Sequence, residues 1–129
     1  AMLFEKRKVV AICGDGGFMM NSQEIETAVR LSLNLVVIVL NDSSYGMIRW
    51  KQSGAGFADW GLEYKNPDFI AYAKSYGAHG HRISSAENLY ETLQTAFNAG
   101  GVHLIDVPVD YSENVKYLIT DLAEHKSII

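Results

Sequence analysis

Two aspartates carry the chemistry this sequence offers. Asp15 sits in Gly14-Asp15-Gly16-Gly17, and Asp42 follows twenty-seven positions later in Asn41-Asp42. Residues 8–13 and 34–40 are short apolar runs rich in β-branched side chains, and residues 22–33 between them have helical spacing, so the stretch reads as one βαβ unit. A parallel crossover is right-handed and brings both strand ends to one edge, where open α/β sheets take their ligands. The two carboxylates then face one crevice. Gly14, Gly16 and Gly17 permit positive φ and let backbone N–H groups come close to an anion. Hard oxygen donors suit Mg²⁺ or Ca²⁺, and Mg²⁺ characteristically takes one or two carboxylates and fills its octahedron with phosphate oxygens and water. Mg²⁺ holding a diphosphate is the chemistry these residues predict.

Local signals supply the elements around that pair. Asn21 with Glu24 three residues later has the spacing of a capping box, and Ile25, Ala28, Val29 and Ser32 form a stripe for the sheet with Glu24, Glu26 and Arg30 outward. Residues 43–46 are turn chemistry and residues 47–50 start a short helix. Two helix N-termini thus face the crevice, and a diphosphate could be held by backbone without a lysine. Residues 52–66, with glycines and the scattered aromatics Phe57, Trp60 and Tyr64, predict a loop that acts as a lid or a surface for another domain. Pro67-Asp68 begins a helix with Phe69, Tyr72, Ala73 and Tyr76 on one face and Gly77 at its end. A strand over 78–83, a helix over 85–99 with Leu89, Leu93, Ala96 and Phe97 inward, and a strand over 102–109 complete the alternation. The fold class is α/β, three layers, with a mainly parallel sheet and helices on both faces.

Composition narrows the function. A chain of 129 residues, 48% apolar, is enough for one domain with a core. A net charge of −4 gives no footprint for nucleic acid. The longest apolar run, residues 35–40, is far short of the roughly 20 residues a membrane helix needs, and no signal-peptide pattern opens the chain, which reads as cytoplasmic. Cys13 is a core residue. His79 and His81 share one strand face without a third ligand at metal spacing, and His103 and His125 are solitary, so the histidines read as structural. Residues 111–129 carry Val115, Leu118, Ile119 and Leu122 as the apolar stripe of an arm.

Gly14-Asp15-Gly16, a helix, an apolar strand and the closing Asn41-Asp42 resemble the thiamine diphosphate motif of the pyruvate-type enzymes. Residues 18–24, 41–47 and 107–112 are similar to acetolactate synthases in particular, so the likeness covers nearly the whole chain. The resemblance implies that residues 1–129 are the C-terminal diphosphate-binding domain of a longer three-domain, homo-oligomeric enzyme, without its pyrimidine-binding and middle domains. It implies thiamine diphosphate and Mg²⁺ as cofactors, and condensation of two pyruvates, or of pyruvate with another 2-keto acid, with loss of carbon dioxide. By position, Asp15, Asp42 and the Ser44 carbonyl would hold the metal, and Gly14, Gly16, Gly17, Ser44, Tyr45, Gly46 and Met47 would bind the cofactor. No residue here is assigned a catalytic role, because the family's activating glutamate lies in the pyrimidine-binding domain of a partner subunit. Many biosynthetic members have Asn-Asn where this chain has Asn41-Asp42, and the Asp110-Tyr111-Ser112 ending leans toward the catabolic branch, which lacks flavin. FAD is compatible with the parent but not indicated by this chain. The alternatives are another pyruvate-type enzyme (pyruvate oxidase, pyruvate decarboxylase or glyoxylate carboligase), a phospho-ligand module without catalysis, or an interaction domain whose site is idle.

Overall fold

The computed structural model describes residues 1–3 and 7–114. Its spine is four strands, β1 (Val9–Gly14), β2 (Leu35–Asn41), β3 (His79–Arg82) and β4 (Val102–Pro108), all parallel, in the order β1-β2-β4-β3. Cys13 pairs with Val39, Gly14 with Leu40 and Asn41 with Pro108, so the strands end level and the segments after β1 and β2 emerge side by side.

Alternation along β2 sorts the helices into two layers. Val37 and Val39 face α1 (Asp15–Met20), α2 (Glu24–Arg30) and α4 (Phe69–Ser75) through Phe18, Ile25, Ala28, Phe69 and Ala73. Phe18 meets the Phe69 ring edge-on at 5.6 Å. Val36 and Ile38, with Ile105 beside them, face α5 (Ala86–Ala99) through Leu89, Leu93, Ala96 and Phe97, the four residues predicted to point inward. Helices therefore cover both faces, as the sequence predicts. The remaining helix, α3 (Gly46–Gly54), follows β2. Among the described residues no helix is long and apolar enough to cross a membrane.

Several local expectations change. The chain becomes helical at Asp15 itself and breaks at Asn21 (φ −137°), so a helix that was not expected precedes the predicted one, which is shortened from residues 22–33 to Glu24–Arg30. The capping box does not form: Glu24 N–H donates to the backbone oxygen of Asn21 at 3.1 Å, and no side chain caps α2. The break is pinned from α4 instead, where the Tyr72 hydroxyl donates to Ser22 Oγ at 2.8 Å. Ser32 drops out of the stripe, lying beyond α2 with φ 51° and exposed, and Leu33 packs on the core in its place.

β1 is apolar throughout, and on one of its faces Ile12 is 66% exposed and Val10 is exposed beside it. They register with Val36 and Ile38 on the α5 side. One helix about 10 Å across spans roughly two strands spaced about 4.8 Å apart, so α5 cannot reach the edge strand. Cys13 packs half-buried on the opposite side, where burial pushes its thiol pKa up, as suits a core residue. His103 is not solitary: its buried ring stacks between His79 at 4.7 Å and His81 at 5.3 Å. His125 and the predicted stripe of the arm lie outside the described residues.

Candidate functional site

Asp15 opens α1 immediately after β1, where the positive end of the helix favours a carboxylate. It is 2% exposed. Its Oδ1 accepts from Gly16 N–H at 2.9 Å, and its Oδ2 accepts from Ser43 N–H at 2.9 Å and Asn66 Nδ2 at 2.6 Å. These donors satisfy the buried carboxylate and tie together the segments after β1 and β2. Asp42 accepts from Ser44 N–H and from Ser44 Oγ, both at 3.2 Å, which folds the turn leading to α3. The predicted metal residues Asp15, Asp42 and Ser44 thus occupy one corner.

Gly16 and Gly46 answer to space rather than to dihedral freedom, whereas Gly17 has nothing within 4 Å of an added Cβ. None of Gly14, Gly16, Gly17 and Gly46 has positive φ, contrary to expectation; Ser43 takes the left-handed conformation instead, at φ 52°. A Cβ on Gly16 would lie 2.9 Å from the Tyr64 hydroxyl oxygen and 3.0 Å from the Tyr45 ring, and one on Gly46 would overlap Asp42 Oδ2.

The segment predicted as a lid or a surface for another domain is tied to the site over residues 62–64. Residues 46–54 are α3, longer than expected. Farther on, Tyr45 N–H donates to Leu62 O at 2.9 Å, Tyr64 N–H to Ser43 O at 3.2 Å and the Tyr64 hydroxyl to Ser44 O at 3.2 Å, while Ser44 and Glu63 form an antiparallel bridge. Arg49 fastens the segment from α3, at 3.0 Å from Glu63 and 3.3 Å from Asp59, the latter contact out of line for a hydrogen bond. Only the tip stands free, with Phe57 exposed and Trp60 87% exposed.

A cleft of about 420 Å³ opens on this corner, lined by every residue predicted to bind cofactor or metal, together with Ile48, Trp50, Tyr111 and others. It adjoins a second cleft of about 520 Å³ beyond Arg49 and Trp50. Tyr45 caps α3 with no side-chain hydrogen bond, which leaves the first backbone N–H groups of that helix for a ligand. The field is negative. The Tyr64 hydroxyl is pushed far above its ordinary pKa, first by burial, then by a hydrogen bond to Asp15 and by the charges of Asp15 and Asp42. Tyr111 is raised by burial and then by the same two carboxylates. A diphosphate would be repelled here without an intervening cation.

The donor set fits such a cation. Two carboxylates and a backbone carbonyl are hard oxygen ligands, and Ser44 O keeps one lone pair beyond the Tyr64 bond. Among the described residues no three His, Cys, Asp or Glu side chains gather as a metal site, so the remaining positions would fall to phosphate and water. A family model described as thiamine pyrophosphate enzyme, C-terminal TPP binding domain, matches residues 1–107. The chain belongs to this family.

Relatives of this TPP-binding domain agree. It is 44% identical over 108 residues to the acetolactate synthase of Bacillus subtilis, covering 84% of this chain and 19% of the relative. It is 40% identical over 109 residues to the catabolic acetolactate synthase of Raoultella terrigena, covering 84% and 20%. Among solved structures it resembles the thiamine diphosphate-dependent 4-hydroxybenzoylformate decarboxylase of Rhodococcus jostii RHA1, with a TM-score of 0.78, 27% identity, and 84% and 21% of the two chains covered. The domain therefore spans about a fifth of the length of these proteins. Sequence reasoning missed Tyr64, Asn66 and Asp106, the last 1% exposed and bonded to Asn41 Nδ2 at 2.9 Å. Each is named by partners far along the chain, and no local spacing marks it.

Proposed function

We propose that this TPP-binding domain anchors the diphosphate of thiamine diphosphate through Mg²⁺ in an acetolactate synthase-like enzyme. The observation that carries the reading is the meeting of Asp15 and Asp42, twenty-seven residues apart, at adjacent strand ends on one cleft with Ser44 between the second carboxylate and α3. In this reading Asp15, Asp42 and the Ser44 carbonyl hold the metal, and Gly14, Gly16, Gly17, Ser44, Tyr45, Gly46 and Met47 surround the diphosphate end of the cofactor. Bound thiamine diphosphate supplies an electron sink for decarboxylating a 2-keto acid. This chain's contribution is placement and electrostatics: two carboxylates set the cation, backbone N–H groups of α3 meet the anion, and Tyr45 and Met47 line the cleft beside it. The proton chemistry at the aminopyrimidine belongs to a glutamate of a pyrimidine-binding domain.

The names of the relatives support pyruvate as substrate and 2-acetolactate as product. The Raoultella terrigena relative and the Asn41-Asp42 pair support the catabolic branch, without FAD. A cytoplasmic homo-oligomer completes the reading, with Phe57, Trp60 and Ile12 as apolar surface suited to neighbouring domains. The structural neighbours favour one second reading, decarboxylation of a 2-keto acid without condensation. Full-length protein supplied with pyruvate, thiamine diphosphate and Mg²⁺ separates them: acetolactate supports the first and acetaldehyde alone the second. Residues 1–129 by themselves should make neither at an enzymatic rate, since half of the site is supplied elsewhere.

A further inference from the structure

We infer that Asn66 is a positioning residue for Asp15, its amide orientation set from the far edge of the sheet by Arg82 through Asp106 and Asn41. The inference rests on the proposed metal role of Asp15. Arg82 Nε donates to Asp106 Oδ2 at 3.0 Å, and Asn41 Nδ2 donates to Asp106 Oδ1 at 2.9 Å. Asn66 Nδ2 then donates to Asn41 Oδ1 at 2.9 Å and to Asp15 Oδ2 at 2.6 Å.

The polarity of this chain of bonds follows from its first member. A guanidinium has only donors and an ionised carboxylate only acceptors, so Asp106 must receive N–H groups from both sides. Asn41 consequently turns its nitrogen to Asp106 and its oxygen to Asn66, an orientation that Ser43 N–H, donating to Asn41 Oδ1 at 3.1 Å, reinforces. Asn66 must answer with its own nitrogen, which is the group an ionised Asp15 requires. The far amide oxygen, Asn66 Oδ1, is buried without a partner, a cost the side chain would escape by turning were its nitrogen not held at two acceptors.

The arrangement separates orientation from charge. Arg82 acts on Asp106, which is buried, and what reaches Asp15 is a neutral N–H donor. Asp15 is thereby fixed without losing the negative charge a cation needs, whereas a lysine or arginine in the place of Asn66 would neutralise it.

The test is a calorimetric Mg²⁺ titration of full-length protein in fixed thiamine diphosphate, with thermal unfolding of the metal-free protein measured alongside. Asn66→Ala should weaken Mg²⁺ about tenfold, as loss of a partner behind a metal ligand commonly does, while the metal-free protein, though somewhat less stable for the lost bond, stays folded at the titration temperature. Arg82→Ala should weaken it less, Arg82→Lys should recover part of that loss, and the double variant Asn66→Ala/Arg82→Ala should lose no more than Asn66→Ala alone. Arg82 also lies 3.7 Å from Asp68, the N-cap of α4, so Asp68→Asn is the control and should leave Mg²⁺ affinity unchanged. If Asn66→Ala does not fold, the Arg82 pair carries the same test. Variants that bind Mg²⁺ as the parent does, or that lose only stability, overturn the positioning role. A parent with no Mg²⁺-dependent binding overturns the metal site itself, and this inference with it.

Discussion

Gly46 stands so close to Asp42 that a methyl group on its α-carbon would overlap the carboxylate oxygen Oδ2. Asp42 is held in place by Ser44 N–H and Ser44 Oγ, so it cannot yield without opening the turn that leads to α3. Gly46→Ala should therefore displace the carboxylate proposed to hold the metal while leaving the core intact. Cofactor binding should weaken about tenfold or more, the scale of lost support around a metal ligand. Circular dichroism would report an unchanged fold, and calorimetry with thiamine diphosphate would report the loss.

Asp15 holds three N–H groups, and removing it strands them in a buried place. Stranding a buried donor costs about 1–3 kcal/mol, so Asp15→Ala should lower stability by at least about 2 kcal/mol. Asp15→Asn keeps one acceptor and should cost less while still weakening metal binding. Urea denaturation of the two variants orders them.

The stacked imidazoles give a pH dependence with a definite sign. His81 Nε2 lies 3.0 Å from His103 Nδ1, and His103 Nε2 lies 2.9 Å from Gly100 O, which can only accept, so His103 carries its proton on Nε2 and the bond between the rings cannot survive if both become cationic. Burial first, then the neighbouring imidazoles, hold the pKa of His81 below its ordinary 6.5. Burial likewise lowers His103, opposed by its bond to Gly100 O and aided by His79. On acidification the unfolded chain takes up protons near the ordinary value before the folded one does. Stability is thus fully present above about pH 6.5 and falls as the pH drops through the lowered values. Urea midpoints at pH 7.5 and 5.5 should differ more in the parent than in His103→Gln, and equal differences would count against the stack.

Phe69 and Trp60 test the division between core and free tip. Phe69 is 1% exposed and meets Phe18 edge-on, so Phe69→Ala should cost about 3–5 kcal/mol. Trp60→Ser should change stability by no more than about 0.5 kcal/mol, since Trp60 is largely in solvent. Thermal unfolding of the isolated domain compares them directly.

What could be read in advance follows the range of the interactions. The placement of Asp15 and Asp42 is legible because two apolar runs bracket an amphipathic segment and parallel crossovers have one hand. The α5 face is legible for the same reason, through its inward Leu89, Leu93, Ala96 and Phe97. The helix α1 ahead of Asn21 is not, because the Tyr72 hydroxyl that pins the break after it lies 50 residues from Ser22 in sequence. Asn66 acts 51 residues from Asp15, and Asp106 acts 65 residues from Asn41. Neither has a periodicity to betray it. His103 reads as solitary until the register of β3 with β4 sets it opposite His79.

The most direct measurement is calorimetric titration of thiamine diphosphate into the protein in Mg²⁺ and in a chelator, with Asp15→Asn and Asp42→Ala alongside. Two carboxylates on one cleft, whose field raises both Tyr64 and Tyr111, should reject a bare diphosphate and accept one bridged by the cation. The account predicts binding in Mg²⁺, almost none in chelator, and a marked loss in each variant. Binding of equal strength with and without the metal, or variants as tight as the parent, would contradict it.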